Sequence, residues 1–116
     1  MTTPPDDLLA AHCQPLDASK RLDAAAIAAA LQRLDGWRSE DGALRKTYTF
    51  SNYYQTLAFV NALAWVVHRE DHHPDLLVQY NRCAVAYSTH SAGGITRNDL
   101  ILAAKTDAVY AQGAMR

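Results

Sequence analysis

The chain has 116 residues, a length that fits one domain with a single modest core. Hydrophobic residues make up 49% of it and charged residues 20%, with a formal net charge of −1, so it offers no basic surface for direct nucleic-acid binding. No apolar run approaches the ~20 residues needed to cross a bilayer, and no membrane partner is expected.

Residues 1–20 contain Pro, Asp and Ser without periodic patterning and read as a partly ordered N-terminal extension to a single domain over 21–113. Met1 to Asp7 show neither the basic nor the apolar part of a signal peptide. Cys13 and Cys83 lie far apart and form no CxxC pair, so a reduced, cytoplasmic setting is expected. His12-Cys13 would supply half of a metal site, yet no second ligand pair follows nearby.

Asp23 opens a first helix over Ala24 to about Leu34, with Ile27, Leu31 and Leu34 on one stripe, and Gly36 suits the left-handed position that ends it. Trp37 begins a short strand, Ser39 to Gly42 turn the chain, and Leu44 to Phe50 return in alternation. Ser51 or Asn52 caps a second helix from Tyr53 to His68 or a little beyond, with Leu57, Val60, Ala64 and Val67 on one stripe and Phe59, Leu63 and Val66 beside it, a wide apolar surface expected to lie against the sheet. Pro74 disfavours helical geometry at His73, so this helix ends near the histidines. Trp65 and Tyr87 are expected in the core or in a cleft wall.

Leu76 to Tyr80 and Cys83 to Thr89 read as a second hairpin around Asn81-Arg82, with Cys83 as a small core hydrophobe. A loop over His90 to Ile95 follows, its Gly93-Gly94 pair allowing a flat ligand to approach the backbone. Thr96 then caps a last helix with Asp99 in its first turn. The resulting class is α+β: a four-stranded antiparallel sheet with three helices packed on one face, in the order α-β-β-α-β-β-α. Its exposed edges leave strand pairing between subunits open.

Glu70-Asp71-His72-His73-Pro74-Asp75 gathers two histidines and three carboxylates at a helix end. His72 and His73 precede the second hairpin and His90 follows it, so the hairpin brings all three to one cleft, which Asp99 can also face. Three readings stand at this point. The histidines are helix-end caps and polar surface; or His68, His72 and His90 bind a metal, the first two being four residues apart; or the cleft runs metal-free acid–base chemistry, which imidazoles perform near neutrality.

His72-His73-Pro74, Tyr80-Asn81, Ser88-Thr89-His90, Gly94-Ile95 and Asp99 to Ala103 resemble, in order and spacing, the pterin-4a-carbinolamine dehydratase family. The likeness extends back through Phe59, Phe50 and Gly36-Trp37, covering about residues 20–110, and the family shares the α-β-β-α-β-β-α order. The resemblance implies a hydro-lyase that dehydrates 4a-hydroxytetrahydropterin to quinonoid dihydropterin. That reaction supports tetrahydropterin recycling for an aromatic amino acid hydroxylase such as phenylalanine hydroxylase. It implies His72, His73 and His90 as catalytic residues and Asp99 as their support. His72, His73, Pro74, Thr89, His90, Ser91 and Ala92 would hold the pterin, which is substrate rather than cofactor, and no metal is required. A homodimer or dimer of dimers is implied. Many members carry Glu four residues before the first motif histidine, where this chain has His68. Some relatives are dimerisation partners of transcription regulators, which makes a binding module the alternative, with a histidine metal protein as the second.

Overall fold

A computed structural model describes residues 4–113. The seven expected elements appear in order, preceded by one further helix. They are α1 (Asp6–Ala10), α2 (Ala24–Leu31), β1 (Arg38–Glu40), β2 (Ala43–Thr49), α3 (Tyr53–Glu70), β3 (Asp75–Gln79), β4 (Arg82–Tyr87) and α4 (Arg97–Ala111). The four strands form one antiparallel sheet in the order β1-β2-β4-β3.

Local chemistry sets most boundaries. Asp23, Asn52 and Thr96 each accept a backbone N–H at a helix start, as N-cap side chains do. α2 stops at Leu31, earlier than expected, and the chain reaches Gly36 (φ +82°) through turns that still bury Leu34. The first hairpin turns on Asp41 and Gly42 alone, both left-handed at φ 53° and 74°, as its tight geometry demands. The second turns on Tyr80-Asn81 rather than Asn81-Arg82, because Gln79 pairs with Arg82, and among the described residues neither turn residue has positive φ.

Alternation sorts the sheet into two faces. Leu44, Tyr48, Cys83, Val85 and Tyr87 turn inward and are buried, whereas Thr47, Thr49 and Leu77 are exposed on the opposite face. α3 and α4 cover the inner face, and Ile27, Ala30 and Leu31 of α2 pack on the same core. The buried residues of α3 are Thr56, Phe59, Leu63 and Val67, so within the wide apolar surface the Phe59–Leu63 side faces inward rather than Leu57, Val60 and Ala64. Ala64 is exposed, and Trp65 is 70% exposed rather than in core or cleft.

The segment before α2 packs closely on the rest. Leu8 of α1 is 3% exposed, and Lys105 Nζ donates to Leu9 O at 2.7 Å. Pro5 before two aspartates in the first turn is a helix-start pattern that sequence reading passed over. Residues 1–3 and 114–116 of the expected extension and C-terminal end lie outside the described residues.

Candidate active site

α3 ends where Asp71 adopts left-handed geometry (φ 51°), so His72 lies past the helix and its N–H reaches back to Val67 O at 3.4 Å. This termination turns the His72 ring toward α4. Its Nε2 lies 2.6 Å from Asp99 Oδ1, its ring is stacked against Tyr87, and its side chain is 12% exposed.

Asp99 is wholly buried and fully hydrogen-bonded. Its Oδ2 accepts from the Thr89 hydroxyl (2.8 Å) and the Thr96 amide (2.9 Å), while Oδ1 faces His72. Thr96 Oγ1 lies 2.7 Å from Thr89 Oγ1 and accepts the Asn98 N–H, so its own proton goes to Thr89 and that of Thr89 to Asp99. Asp99 therefore does two jobs: it closes the capping box of α4 and it orients His72. Because a carboxylate oxygen accepts, the proton of the 2.6 Å bond sits on Nε2, leaving Nδ1 as the lone-pair nitrogen of the ring.

His72, His73 and His90 line one cavity of about 430 Å³, together with Asp71, Pro74, Asp75, Ser88, Thr89 and Ser91. The hairpin thus brings the three histidines together, with His73 and His90 exposed and His72 set deeper. His90 begins a 3₁₀ turn over His90–Ala92 whose Thr89–Gly94 bridge pins it to the end of β4.

The other anticipated residues fall differently. Ala92 is buried and does not line the cavity; its N–H donates to Thr89 O and its carbonyl accepts from Arg21 Nη1. Ser91 does line it, but its hydroxyl donates to Leu16 O at 2.6 Å. The glycine pair faces no open cleft: a Cβ on Gly94 would meet Arg21 Cδ at 2.9 Å, so the small residue makes room for Arg21. His68 is exposed and outside the cavity. Glu70 turns the other way, accepting from Cys13 N (2.8 Å) and His12 Nδ1 (2.9 Å), with Lys105 Nζ at 3.8 Å. His12 and Cys13 are thus contacts of Glu70. Among the described residues, no three His, Cys, Asp or Glu side chains are grouped to hold a metal ion.

Tyr87, expected in the core or in a cleft wall, is buried and forms the flat wall behind His72. Sequence reading missed that Thr89 supports Asp99 through its side chain, a contact that spans the fold and left no local signal.

The arrangement provides a deep imidazole braced by a buried carboxylate beside two exposed imidazoles, a geometry suited to moving protons at one edge of a bound molecule. The family model described as Pterin 4 alpha carbinolamine dehydratase matches residues 20–109. A relative from Nitrosospira multiformis is 49% identical over 95% of this chain and 98% of its own length. One from Xanthomonas axonopodis pv. citri is 55% identical over 89% of this chain and 90% of its own. Both carry the name "Putative pterin-4-alpha-carbinolamine dehydratase". Among solved structures, a transcriptional coactivator/pterin dehydratase from Brucella melitensis superposes with a TM-score of 0.74 at 33% identity, covering 77% of this chain and 97% of its own.

Proposed function

The chain belongs to the pterin 4 alpha carbinolamine dehydratase family, and from that premise we propose that it dehydrates 4a-hydroxytetrahydropterin to quinonoid dihydropterin by histidine acid–base catalysis alone. The observation that carries this reading is the His72–Asp99 pair at the wall of a cavity that also holds His73 and His90. The C4a–O bond breaks as the hydroxyl takes a proton and leaves as water. The N5 lone pair forms the N5=C4a bond, and the N5 proton passes to a base. No oxidation state changes, so the chemistry calls for no resident redox group or metal, and the pterin is the substrate.

In this proposal His72 Nδ1 takes the N5 proton, because Asp99 on the opposite ring nitrogen stabilises the imidazolium that forms. His90 protonates the leaving hydroxyl, and His73 binds and orients the ring. The setting is cytoplasmic tetrahydropterin recycling alongside an aromatic amino acid hydroxylase, with the chain as a homodimer or dimer of dimers. Stopped-flow dehydration of freshly made substrate tests the reading. His72→Ala and His90→Ala should each lose about 10²-fold in rate, and His73→Ala should raise KM more than it lowers kcat. Wild-type rates in both of the first two variants would sink it.

A second reading, partner binding, draws on α3, where Tyr54 (81% exposed) and Trp65 (70% exposed) lie on one face three turns apart. The printed title of the Brucella melitensis relative names a coactivator as well as a dehydratase. Capture of a transcription regulator by the chain, with a flat dehydratase assay, would favour that reading.

A further inference from the structure

One hydrogen bond is too little to fix an imidazole. The χ2 torsion of histidine is broad, so the side chain's own preference leaves the plane of the ring open. The backbone places Cβ of His72, and Asp99 holds Nε2 at 2.6 Å. The ring still turns about the line between those two atoms. That turn swings Nδ1, which lies to one side of the line. The face of the ring needs a support of its own, as Asp99 supports the edge.

Tyr87 meets that face. The two rings lie within 13° of parallel with centroids 6.3 Å apart, in the range of offset-stacked pairs. Tyr87 is closed to solvent and is itself well anchored, with its hydroxyl 2.7 Å from Thr106 Oγ1 and the Trp37 ring packed on it at 6.0 Å. Thr106 spends its own proton on Leu102 O at 2.6 Å, so the Tyr87 hydroxyl is the donor to Thr106. Thr106 stands about two turns along α4 from Asp99. Trp37 Nε1 donates to Asp107 of the same helix. The edge and the face of the His72 ring are thus both held from α4. Tyr87 does not line the histidine cavity, so it acts on a bound molecule only through His72.

We propose that Tyr87 is a positioning residue for the dehydration: its ring face sets the plane of His72 and so aims Nδ1 into the histidine cavity. The proposal rests on the dehydratase reading and gives the tyrosine a part in it that the hydrogen bonds to His72 do not supply. The face carries the role and the hydroxyl does not. A flat ring resists the turn of a parallel neighbour across its whole surface, whereas an aliphatic side chain leaves gaps into which the imidazole rolls. Proton transfer from N5 needs Nδ1 in line, and misalignment slows that step without loosening the hold on the pterin. The expected signature is a fall in kcat with KM little changed.

The test uses three variants of the full chain. Tyr87→Leu and Tyr87→Met keep apolar bulk and lose the flat face, while Tyr87→Phe keeps the face and loses only the bond to Thr106. In stopped-flow dehydration, the Leu and Met variants should each lose about tenfold in kcat with KM little changed. The Phe variant should recover most of that loss. Met is unbranched and adaptable, so it fills the site should Leu fail to fold. A second readout needs no substrate: the His72 Nε2–H line in 15N-edited NMR spectra should be narrow in wild type and Tyr87→Phe and broadened in the other two. Lowered stability by itself moves the melting temperature and leaves both readouts of the folded protein where they were. Wild-type kcat in the Leu and Met variants overturns the role, and so does a narrow Nε2–H line in both. An equal fall in Tyr87→Phe overturns it too, because the hydroxyl would then be the active part. Absence of dehydration by the wild type overturns the dehydratase reading, and the role of Tyr87 in it falls as well.

Discussion

His72 Nε2 and Asp99 Oδ1 lie 2.6 Å apart across twenty-seven residues of chain, and the carboxylate that makes the contact is closed to solvent. The bond ties the end of α3 to the start of α4. It also commits Nε2 of His72 to Asp99, so in the proposed reaction Nδ1 is the nitrogen that acts.

Asp99→Asn preserves volume but replaces one oxygen with a donor amide. Asp99 now accepts from three donors, His72, Thr89 and Thr96. With Oδ2 kept for Thr89 and Thr96, the amide nitrogen faces His72 Nε2, which can accept from it only as the other tautomer, with the proton moved to Nδ1. Steady-state kinetics should show kcat down about 10²-fold with KM little changed, while circular dichroism shows the fold retained. A wild-type kcat would remove Asp99 from the reaction.

Thr89→Val keeps the side-chain shape and removes the hydroxyl between Thr96 and Asp99. Leaving a buried carboxylate short of a donor should cost about 2 kcal/mol, or about 8 °C in melting temperature for a domain of this size. Calorimetry would check it, and an unshifted melt would show that the chain of hydroxyls is dispensable.

Glu70 sits below the usual carboxylate range. Burial alone would raise it, but the Cys13 amide, the His12 ring and the Lys105 ammonium outweigh that. Its folded value therefore lies under the unfolded one of about 4.3. The stability it contributes is complete above that pH and is lost as pH falls through the folded value. Urea midpoints of wild type and Glu70→Gln should differ near neutrality, wild type higher, and converge in acid. A gap that persists at low pH would mean that the Glu70 charge does not hold the segment before α2.

Both thiols are raised, Cys83 to about 11 by burial and Cys13 to about 12 by burial followed by the nearby Glu70 and Asp99 charges. Thiolate is the reactive form. Disulfide-reagent labelling of the native chain at mildly alkaline pH should thus run at least about 100-fold slower than labelling in denaturant. Fast native labelling of either cysteine would contradict the burial described here.

Features written in neighbouring residues were legible. The caps at Asp23, Asn52 and Thr96, the Asp41-Gly42 turn and the end of the long helix ahead of Pro74 each depend on groups within a few positions. The gathering of His72, His73 and His90 was legible too, because a hairpin returns its ends to one place. The face of α3 was harder. Its helix is apolar over more than half its circumference, so hydrophobicity could not choose between the Leu57–Val60–Ala64 and Phe59–Leu63–Val67 stripes, and packing against α4 and the sheet chose the second. The second hairpin slipped by one residue because Asn81-Arg82 and Tyr80-Asn81 are both acceptable turns, and pairing of Gln79 with Arg82 decided between them.

By itself, the sequence determined the order of the elements, the α+β class and which histidines share a cleft, since each follows from local propensity, alternation or the return of a hairpin. Only the tertiary structure decided what those side chains do. It gave Asp99 to His72, turned Glu70 away to the segment before α2, filled the space beside Gly94 with Arg21, and laid Cys13 to Leu16 against the site. Each is a contact between groups far apart in sequence, and such contacts leave no periodicity. They arise because a buried carboxylate or amide must find its partners wherever folding has put them.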